Sequence, residues 1–297
     1  MEYKMELVHR IGGSAQGALM NVDKYKTKID LYHECLYGSD FKGNIFTIAG
    51  NILEPVIALE FSKREKKTVF EGEKIQVKDY EFLVAVPDYT YINENLEKCV
   101  LECKSIGRFT NLDYKHYLQL QWYMGATQSK EGCLAYIDRE VDIANIYPHK
   151  EIQYSNFVFN FLYFEYDSEI FEKMLGNSVK FYEEHLLPRI PPEPQTLEDI
   201  PKIYPVSNKN RIEAMPDIYS IFLKNKEIKT KIKELTREKE GYDLLLRKEI
   251  KDNRMLFFEG TKLLSRSEYM SFDFEKFRME NSELYEKYKT KKVISFR

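Results

Sequence analysis

The pattern of hydrophobic and polar positions predicts helices in five parts of the first 190 residues. Residues 52–67 carry apolar side chains at positions 52, 53, 56, 57 and 61, a spacing typical of an amphipathic helix that begins after Gly50-Asn51. Ser14 ends a Gly-Gly-Ser sequence, and its hydroxyl is placed to cap another helix. By the same reasoning, helices are predicted over residues 15–20, 28–36, 111–126 and 167–187.

Between these helices the pattern changes to that of strands. Residues 69–88 end in alternating apolar positions, and residues 99–106 predict a second strand that has Val100 and Leu101 on opposite faces. A further short strand is predicted over residues 132–138. The order of the predicted elements is helices, a run of strands, a helix and another strand. This order predicts an α/β protein with a central mixed β-sheet flanked by helices.

The composition changes after residue 190, which predicts a boundary between domains. Residues 187–205 contain six of the ten prolines and cannot be helical throughout. We therefore predict a core domain over residues 1–190, a proline-rich linker over 191–205 and a mainly helical extension over 206–297. Within the extension, residues 216–256 are rich in Lys, Glu, Leu and Ile, which predicts one long helix or a helical hairpin.

Overall composition is that of a globular protein with a sizeable core. The 297 residues are 43% hydrophobic and 14% aromatic, and no apolar run approaches the length of a membrane span. The N-terminus lacks the apolar core of a secretory signal, so a cytoplasmic location is expected. The four cysteines form no CxxC pair, which favours reduced thiols; the alternative is a metal or iron–sulfur cluster that uses Cys99 and Cys103.

Charge is distributed unevenly along the chain. Residues 1–205 carry 23 Lys and Arg against 32 Asp and Glu, whereas residues 206–297 carry 22 against 16. An acidic body with a basic tail can bind a polyanionic partner, and solvated helix faces explain the same asymmetry equally well.

Candidate chemistry lies in residues 87–104, PDYTYINENLEKCVLECK. Asp88 near the end of one strand can meet Glu102 on the next, and the main-chain carbonyl of Cys103 adds a third oxygen ligand. Strand alternation places Lys104 on the face of Glu102. Two carboxylates and a carbonyl suit Mg²⁺, which activates water for phosphodiester hydrolysis.

The residues alone leave a second interpretation open. An aspartate after proline is common in turns, and an exposed Glu-x-Lys pair is common on edge strands, so the segment can equally be a β-hairpin with surface charge. For Trp122 and Tyr123, a position in the hydrophobic core is favoured over a role in stacking on DNA bases.

Five motifs in one order resemble the YqaJ-type viral recombinase family, relatives of the lambda exonuclease within the PD-(D/E)xK nucleases. The motifs are IGGS at 11–14, GNILEPVIALEF at 50–61, VAVPDYT at 84–90, LECKSI at 101–106 and HYLQLQWYMGAT at 116–127. The resemblance covers roughly the first 150 residues and implies a restriction-endonuclease-like core. The chain departs from the family at Tyr89, where members often have glycine, so the hairpin can differ in shape.

The resemblance also implies roles for single residues. Asp88 and Glu102 resemble the metal-binding carboxylates, and Lys104 resembles the catalytic lysine. Glu54 resembles a helix-borne acidic residue that supports the metal site; its alternative is a capping-box glutamate paired with Asn51.

Further resemblances concern the water and the DNA end. Gln119 resembles the glutamine that positions the attacking water, and it is preferred to Gln121, which lies on another helix face. Ser14 and Arg10 are candidates to bind a DNA 5′-phosphate, although GGS is also a common helix cap.

By resemblance, the protein is a Mg²⁺-dependent deoxyribonuclease, with Mn²⁺ as a substitute, that digests double-stranded DNA from its ends, 5′ to 3′, in phage recombination. The implied partners are DNA ends, a single-strand annealing protein and further copies in a trimeric ring, inside a bacterial host cell. The alternatives are a structure-selective or nicking endonuclease and a non-catalytic DNA-binding scaffold.

Overall fold

A computed structural model describes residues 7–39, 42–107, 111–138, 158–206, 210–267, 271 and 273–288 of the chain. The chain divides into two compact units, Met1–Pro205 and Val206–Arg297. The helices of the first unit are α1 (Gln16–Leu19, preceded by a 3₁₀ turn at Gly13–Ala15), α2 (Lys28–Tyr37), α3 (Ile45–Glu65), α4 (Tyr114–Thr127), α5 (Ser168–Phe181, continued by a π-helical turn at Tyr182–Leu186) and α6 (Ile200–Ile203).

The strands of this unit form a mixed five-stranded sheet and a separate two-stranded one. The strands are β1 (Val69–Glu71), β2 (Ile75–Gln76), β3 (Val84–Ala85), β4 (Tyr89–Ile92), β5 (Lys98–Ile106), β6 (Glu131–Asp138) and β7 (Phe159–Glu165). The large sheet has the order β1-β4-β5-β6-β7, in which only β5 and β6 are parallel, while β2 pairs with β3. The predicted mixed sheet is therefore confirmed.

Helices cover both faces of the large sheet, and β5 lies between two separate cores. Val100 belongs to the core that Trp122 of α4 fills, and Leu101 belongs to the core that Phe61 of α3 fills. The two faces predicted for these neighbours are thus confirmed, as is the core position of Trp122 and Tyr123. Placing β5 between two helices buries the strand that carries the candidate chemistry.

Helix α3 begins earlier than the sequence pattern predicts. Asn44 is the N-cap, and its side chain accepts hydrogen bonds from the backbone of Phe46 and Thr47. The predicted start at Gly50-Asn51 is therefore wrong, and Glu54 lies well inside the helix. The capping-box explanation of Glu54 is excluded, because the capping box is formed by Asn44 and Thr47 instead.

Helix α3 also departs from the expectation that no apolar segment approaches a membrane span. By length and composition alone, its 21 residues could cross a membrane. One such helix is weak evidence, since core helices pass the same test. Ile57, Ala58 and Phe61 of α3 are buried against the sheet, while most of the apolar stretch of the helix is exposed.

The segment predicted as a proline-rich linker, residues 191–205, forms a hydrogen bond and an ion pair with the start of α2. Thr27 donates a hydrogen bond to the fully buried carboxylate of Asp199 at 2.8 Å, and the Lys202 ammonium lies 2.5 Å from Asp30. These contacts hold the last part of the first unit on the helix that begins at Lys28.

The second unit combines helices with a β-hairpin. Its elements are α7 (Pro216–Ile250), β8 (Met255–Phe258), β9 (Thr261–Ser265), α8 (Phe274–Glu280) and α9 (Ser282–Tyr288). The hairpin turns at Glu259 and Gly260, which both have positive φ, the backbone of a tight two-residue turn. A long helix is found where one was predicted, whereas the strand pair was not predicted.

Candidate active site

The register of the β4–β5 hairpin brings the two predicted metal-binding carboxylates together. Tyr89 pairs with Leu101, so Asp88, one residue earlier, lies opposite Glu102. The Asp88 Oδ2 atom accepts a hydrogen bond from the backbone N–H of Cys103 at 2.8 Å. Both carboxylates therefore stand on adjacent strands, at the point where β4 begins.

The main chain of Cys103 faces the same point. The N–H and C=O of one strand residue point to the same edge of the strand. The Cys103 N–H points to Asp88, and β4 begins only at Tyr89. The Cys103 carbonyl is therefore expected to point toward Asp88, as the predicted metal site requires.

Glu102 is the most buried charged group of the site. Its side chain is 0% exposed, and its Oε1 atom accepts hydrogen bonds from the Lys104 ammonium and, at 2.7 Å, from the Gln119 amide. Burial raises the pKa of Glu102 to about 8; Lys104 opposes the rise and Asp88 adds to it. The carboxylate form of Glu102 is therefore costly at this position unless a positive charge compensates it, as a bound cation would.

Lys104 stays positively charged in these surroundings. Its side chain is 21% exposed. Burial lowers the pKa of Lys104, but the negative charges of Glu102 and Asp88 outweigh burial, and the net shift is upward. The ammonium is therefore a fixed positive charge beside two carboxylates.

Glu54 approaches the same group from α3. Burial raises the pKa of Glu54, the Asp88 carboxylate raises it further, and Lys104 acts in the opposite direction. The predicted acidic residues Glu54, Asp88 and Glu102 thus share one electrostatic environment, although they come from a helix and two strands.

The structure distinguishes the two candidate glutamines of α4. The Gln119 amide donates to Glu102 and, at 2.9 Å, to the Tyr123 hydroxyl. Gln121 is fully buried elsewhere, where it donates to the carbonyl of Glu165 and accepts from the N–H of Asp167, both at 2.8 Å. Gln119 faces the site, and Gln121 joins α4 to the start of α5.

Two further residues near the site were not predicted as functional. Tyr123 lies one turn after Gln119 and holds its amide, and His116 lies one turn before it. Burial lowers the pKa of His116 to about 4, with the Lys104 charge acting in the same direction, and its Nδ1 atom lies 3.2 Å from the Tyr136 hydroxyl. The helical spacing of 116, 119 and 123 was the available signal.

The candidate 5′-phosphate residues lie in, and shortly before, the 3₁₀ turn at Gly13–Ala15. Ser14 and Arg10 are exposed. The N-cap is Gly12, so Ser14 lies inside the 3₁₀ turn and does not cap it as predicted. A Cβ atom on Gly13 would stand 2.5 Å from the Tyr123 ring, which places this turn against the tyrosine that holds Gln119.

The donor set fits a hard divalent cation that keeps some of its water. The Glu102 Oε2 atom is buried and has no hydrogen-bond partner among the described residues. Within those same ranges, no group of three or more His, Cys, Asp or Glu side chains forms a metal cluster. Two carboxylates with a carbonyl are a smaller set, and they suit Mg²⁺ because it retains waters.

Gly72 sets the position of Asp88. The Gly72 N–H donates to the Asp88 carbonyl at 3.0 Å, and a Cβ atom at Gly72 would lie 1.8 Å from the Pro87 oxygen. Tyr89 follows as the first residue of β4, paired with Glu71 and Leu101. A glycine at position 89 would permit a close approach of the backbone. Here Gly72, just after β1, provides that close approach instead.

Gly72→Ala is therefore expected to displace Pro87 and Asp88 and to reduce the DNA hydrolysis that the motif resemblance implies about 10- to 100-fold, since small misplacements of reacting groups are costly. Hydrolysis rates at saturating metal measure the effect. Gly176→Ala is the control, because Gly176 of α5 has no atom near its added Cβ. Equal rates for the two variants would contradict the role of Gly72.

Comparisons with known proteins agree with the resemblance predicted from the motifs. Residues 3–130 match the family model described as YqaJ-like viral recombinase domain, which confirms that resemblance. No curated protein matches the chain. Three solved structures are similar: an alkaline exonuclease, LHK-Exo, from Laribacter hongkongensis (16% identity, TM-score 0.48, 61% of this chain and 89% of that chain), LHK-Exo in complex with dAMP (15%, 0.48, 66% and 93%) and a phage related exonuclease from Haemophilus somnus 129PT (15%, 0.46, 59% and 94%).

Proposed function

From the YqaJ-like viral recombinase domain matched by residues 3–130, we propose that the protein is a metal-dependent deoxyribonuclease that digests duplex DNA from its ends, 5′ to 3′, in phage recombination. One observation carries the proposal. Asp88, Lys104 and Gln119 converge on the buried carboxylate of Glu102, whose second oxygen has no partner among the described residues. Such an oxygen is costly to bury unless a ligand completes it.

In this proposal, the residues of the site have different roles in phosphodiester hydrolysis. Asp88, Glu102 and the Cys103 carbonyl would hold Mg²⁺, or Mn²⁺ in its place. When bound, the ion lowers the pKa of water and neutralises charge on the leaving oxygen. Lys104 places a fixed positive charge where negative charge develops on the phosphate.

Glu54 and Gln119 complete the site as supporting groups. Gln119 holds Glu102 on one side and is itself held by Tyr123, so its amide is oriented to position the attacking water. Glu54, whose pKa is raised by burial, adds negative charge that favours the cation.

The remaining parts of the proposal concern the setting of this reaction. DNA ends are the proposed substrate, and the single-stranded product would pass to an annealing protein in the cytoplasm of a bacterial host. A trimeric ring that encloses DNA would keep successive cuts on one molecule. A structure-selective or nicking endonuclease is the alternative with the same residues.

Closed circular and linear duplex DNA separate these activities. Linear DNA that carries a label at its 5′ or 3′ end is expected to lose the 5′ label first, with Mg²⁺ present, while closed circles stay intact. A chelator should stop the reaction. Circles cut as fast as linear DNA would show an endonuclease, and linear DNA that survives with both Mg²⁺ and Mn²⁺ would leave only the non-catalytic scaffold.

Ser14 and Arg10 are expected to act on the chemistry of the DNA end. The Ser14→Ala, Arg10→Ala double variant should lose any preference for a 5′-phosphate over a 5′-hydroxyl end, because both candidate phosphate-binding side chains are removed. Initial rates on the two kinds of end measure the preference. Lys24→Ala is a control that removes one charge of the same unit. An unchanged preference in the double variant would exclude this phosphate site.

A further inference from the structure

Helix α7 carries a row of exposed apolar side chains along its length. The row contains Ile218, Ile221, Ile228, Ile232, Leu235 and Tyr242, which are 52% to 64% exposed. The 35 residues of the helix span about 52 Å at 1.5 Å per residue. Exposed apolar surface of this extent marks an interaction site.

The spacing of this row is that of a coiled coil. Successive positions lie three and four residues apart, from Ile218 through Asn225 and Lys239 to Leu246, which is a heptad pattern over four repeats. In the middle of the helix, residues 224–241, the only apolar side chains are those of the row, so the stripe there is narrow, whereas a helix that packs on a globular core usually has a wider one. Near the two ends, further exposed apolar side chains widen it: Tyr219, Phe222, Leu223, Leu244 and Leu245. The row is therefore a surface suited to pack against one other helix that has the same heptad pattern.

The charges beside the row select the direction of that second helix. In a parallel pair of α7 helices, Lys224 would face Lys229 of the second copy, and Glu238 would face Asp243. In an antiparallel pair centred between residues 233 and 234, Lys231 faces Glu238 of the second copy, and the symmetry makes this contact twice. Opposite charges at these flanking positions stabilise the antiparallel pair.

The polar residues within the row agree with this direction. A parallel pair would place the two Lys239 ammonium groups in one layer of the seam. The antiparallel pair places Lys239 against Ile228, and Asn225 against Tyr242, whose hydroxyl can hydrogen-bond to the amide. Each unfavourable like-charge contact of the parallel arrangement is thereby avoided.

We propose that α7 pairs with α7 of a second copy of this chain as an antiparallel two-stranded coiled coil. A contact strip of roughly 50 by 10 Å on each helix gives about 1,000 Å² in total, the area that a specific interface needs. The pairing joins two chains through the second unit and is independent of the proposed nuclease activity.

Engineered disulfides test both the pairing and its direction in the full-length protein. Asn225→Cys combined with Tyr242→Cys is expected to cross-link two chains on oxidation, because the two positions face each other in the antiparallel pair. Residues 225 and 242 of one helix are about 25 Å apart, too far for a disulfide within one chain. The native cysteines are all buried.

The single variants are the matched controls. Neither Asn225→Cys nor Tyr242→Cys alone is expected to cross-link in the antiparallel pair, and both would do so in a parallel one. A non-reducing gel measures the product of twice the chain mass. No cross-link in the double variant, or efficient cross-links in the single variants, would overturn the proposal.

Light scattering gives a second and independent measurement. Ile232→Asp is expected to halve the mass of the full-length protein in solution, because it places a charge in the centre of the seam. Thr230→Asp, on the exposed opposite face, should leave the mass unchanged. An equal mass for the two variants and the unsubstituted protein would refute self-association through this face.

Discussion

Replacing Lys104 with alanine is expected to reduce DNA hydrolysis about 100- to 1,000-fold while duplex DNA binding changes little. The expectation follows from its position. The ammonium lies against Glu102, and the acidic neighbours raise its pKa, so its charge is present throughout the working pH range. Removing one preorganised electrostatic group from an active site has a cost of this order. Single-turnover cleavage of labelled linear DNA measures the rate, and retention on DNA without metal measures binding.

Lys115→Ala is a closely matched control for this prediction. Lys115 is 23% exposed and is paired with Asp23, much as Lys104 is 21% exposed and paired with Glu102, but it lies outside the group of carboxylates. The control should hydrolyse DNA at close to the original rate. If both variants lose activity equally, the loss reflects a general charge effect and the role of Lys104 is wrong.

Replacing Glu102 with glutamine is expected to abolish hydrolysis and, without metal, to stabilise the protein at high pH. Burial raises the folded-state pKa of Glu102 to about 8, above its unfolded value near 4.5. The protonated group therefore favours folding below the unfolded pKa, and this contribution is lost as the pH rises through 8. The loss is on the order of 3–5 kcal/mol between pH 5 and pH 9.

Urea unfolding of the metal-free protein at several pH values measures this difference. The free energy of unfolding of the unsubstituted protein should fall relative to that of Glu102→Gln as the pH increases. Glu94→Gln, an exposed change in the same hairpin, should follow the unsubstituted protein. A constant difference between the proteins across this range would show that Glu102 is ionised at ordinary pH and is held by its neighbours.

Much of the candidate site could be predicted because it depends on local spacing. A β-hairpin between two segments of alternating pattern places Asp88 near Glu102, and two residues of strand return Lys104 to the same face. Helix geometry in the sequence showed only that Gln119 and Gln121 cannot both face the site, and the match to the family motif was the reason to prefer Gln119. The contacts that fix the assignment, with Glu102 and Tyr123, come from residues that are distant in sequence or on another element.

Other features depend on interactions that the local pattern does not contain. The start of α3 depends on an asparagine cap that precedes a mixed run of residues, and Pro55 inside the helix suggests a boundary where there is none. The position of Gly72 against Pro87 is a contact between two residues that lie fifteen positions apart, one just after β1 and one just before β4. The β8–β9 hairpin did carry a local signal, Glu259-Gly260, within a segment that its composition made appear helical.

The tight turn of the β4–β5 hairpin has a role that its own residues do not reveal. Asn93 closes the turn, because its side-chain Oδ1 atom accepts hydrogen bonds from the backbone N–H groups of Asn95 and Glu97. An insertion of one residue there would shift the register of β4 and turn Asp88 to the opposite face of the sheet. The length of this turn thus fixes the alignment of the proposed metal site four residue pairs away, and changes in that length are expected to be as harmful to the proposed catalysis as the loss of a ligand.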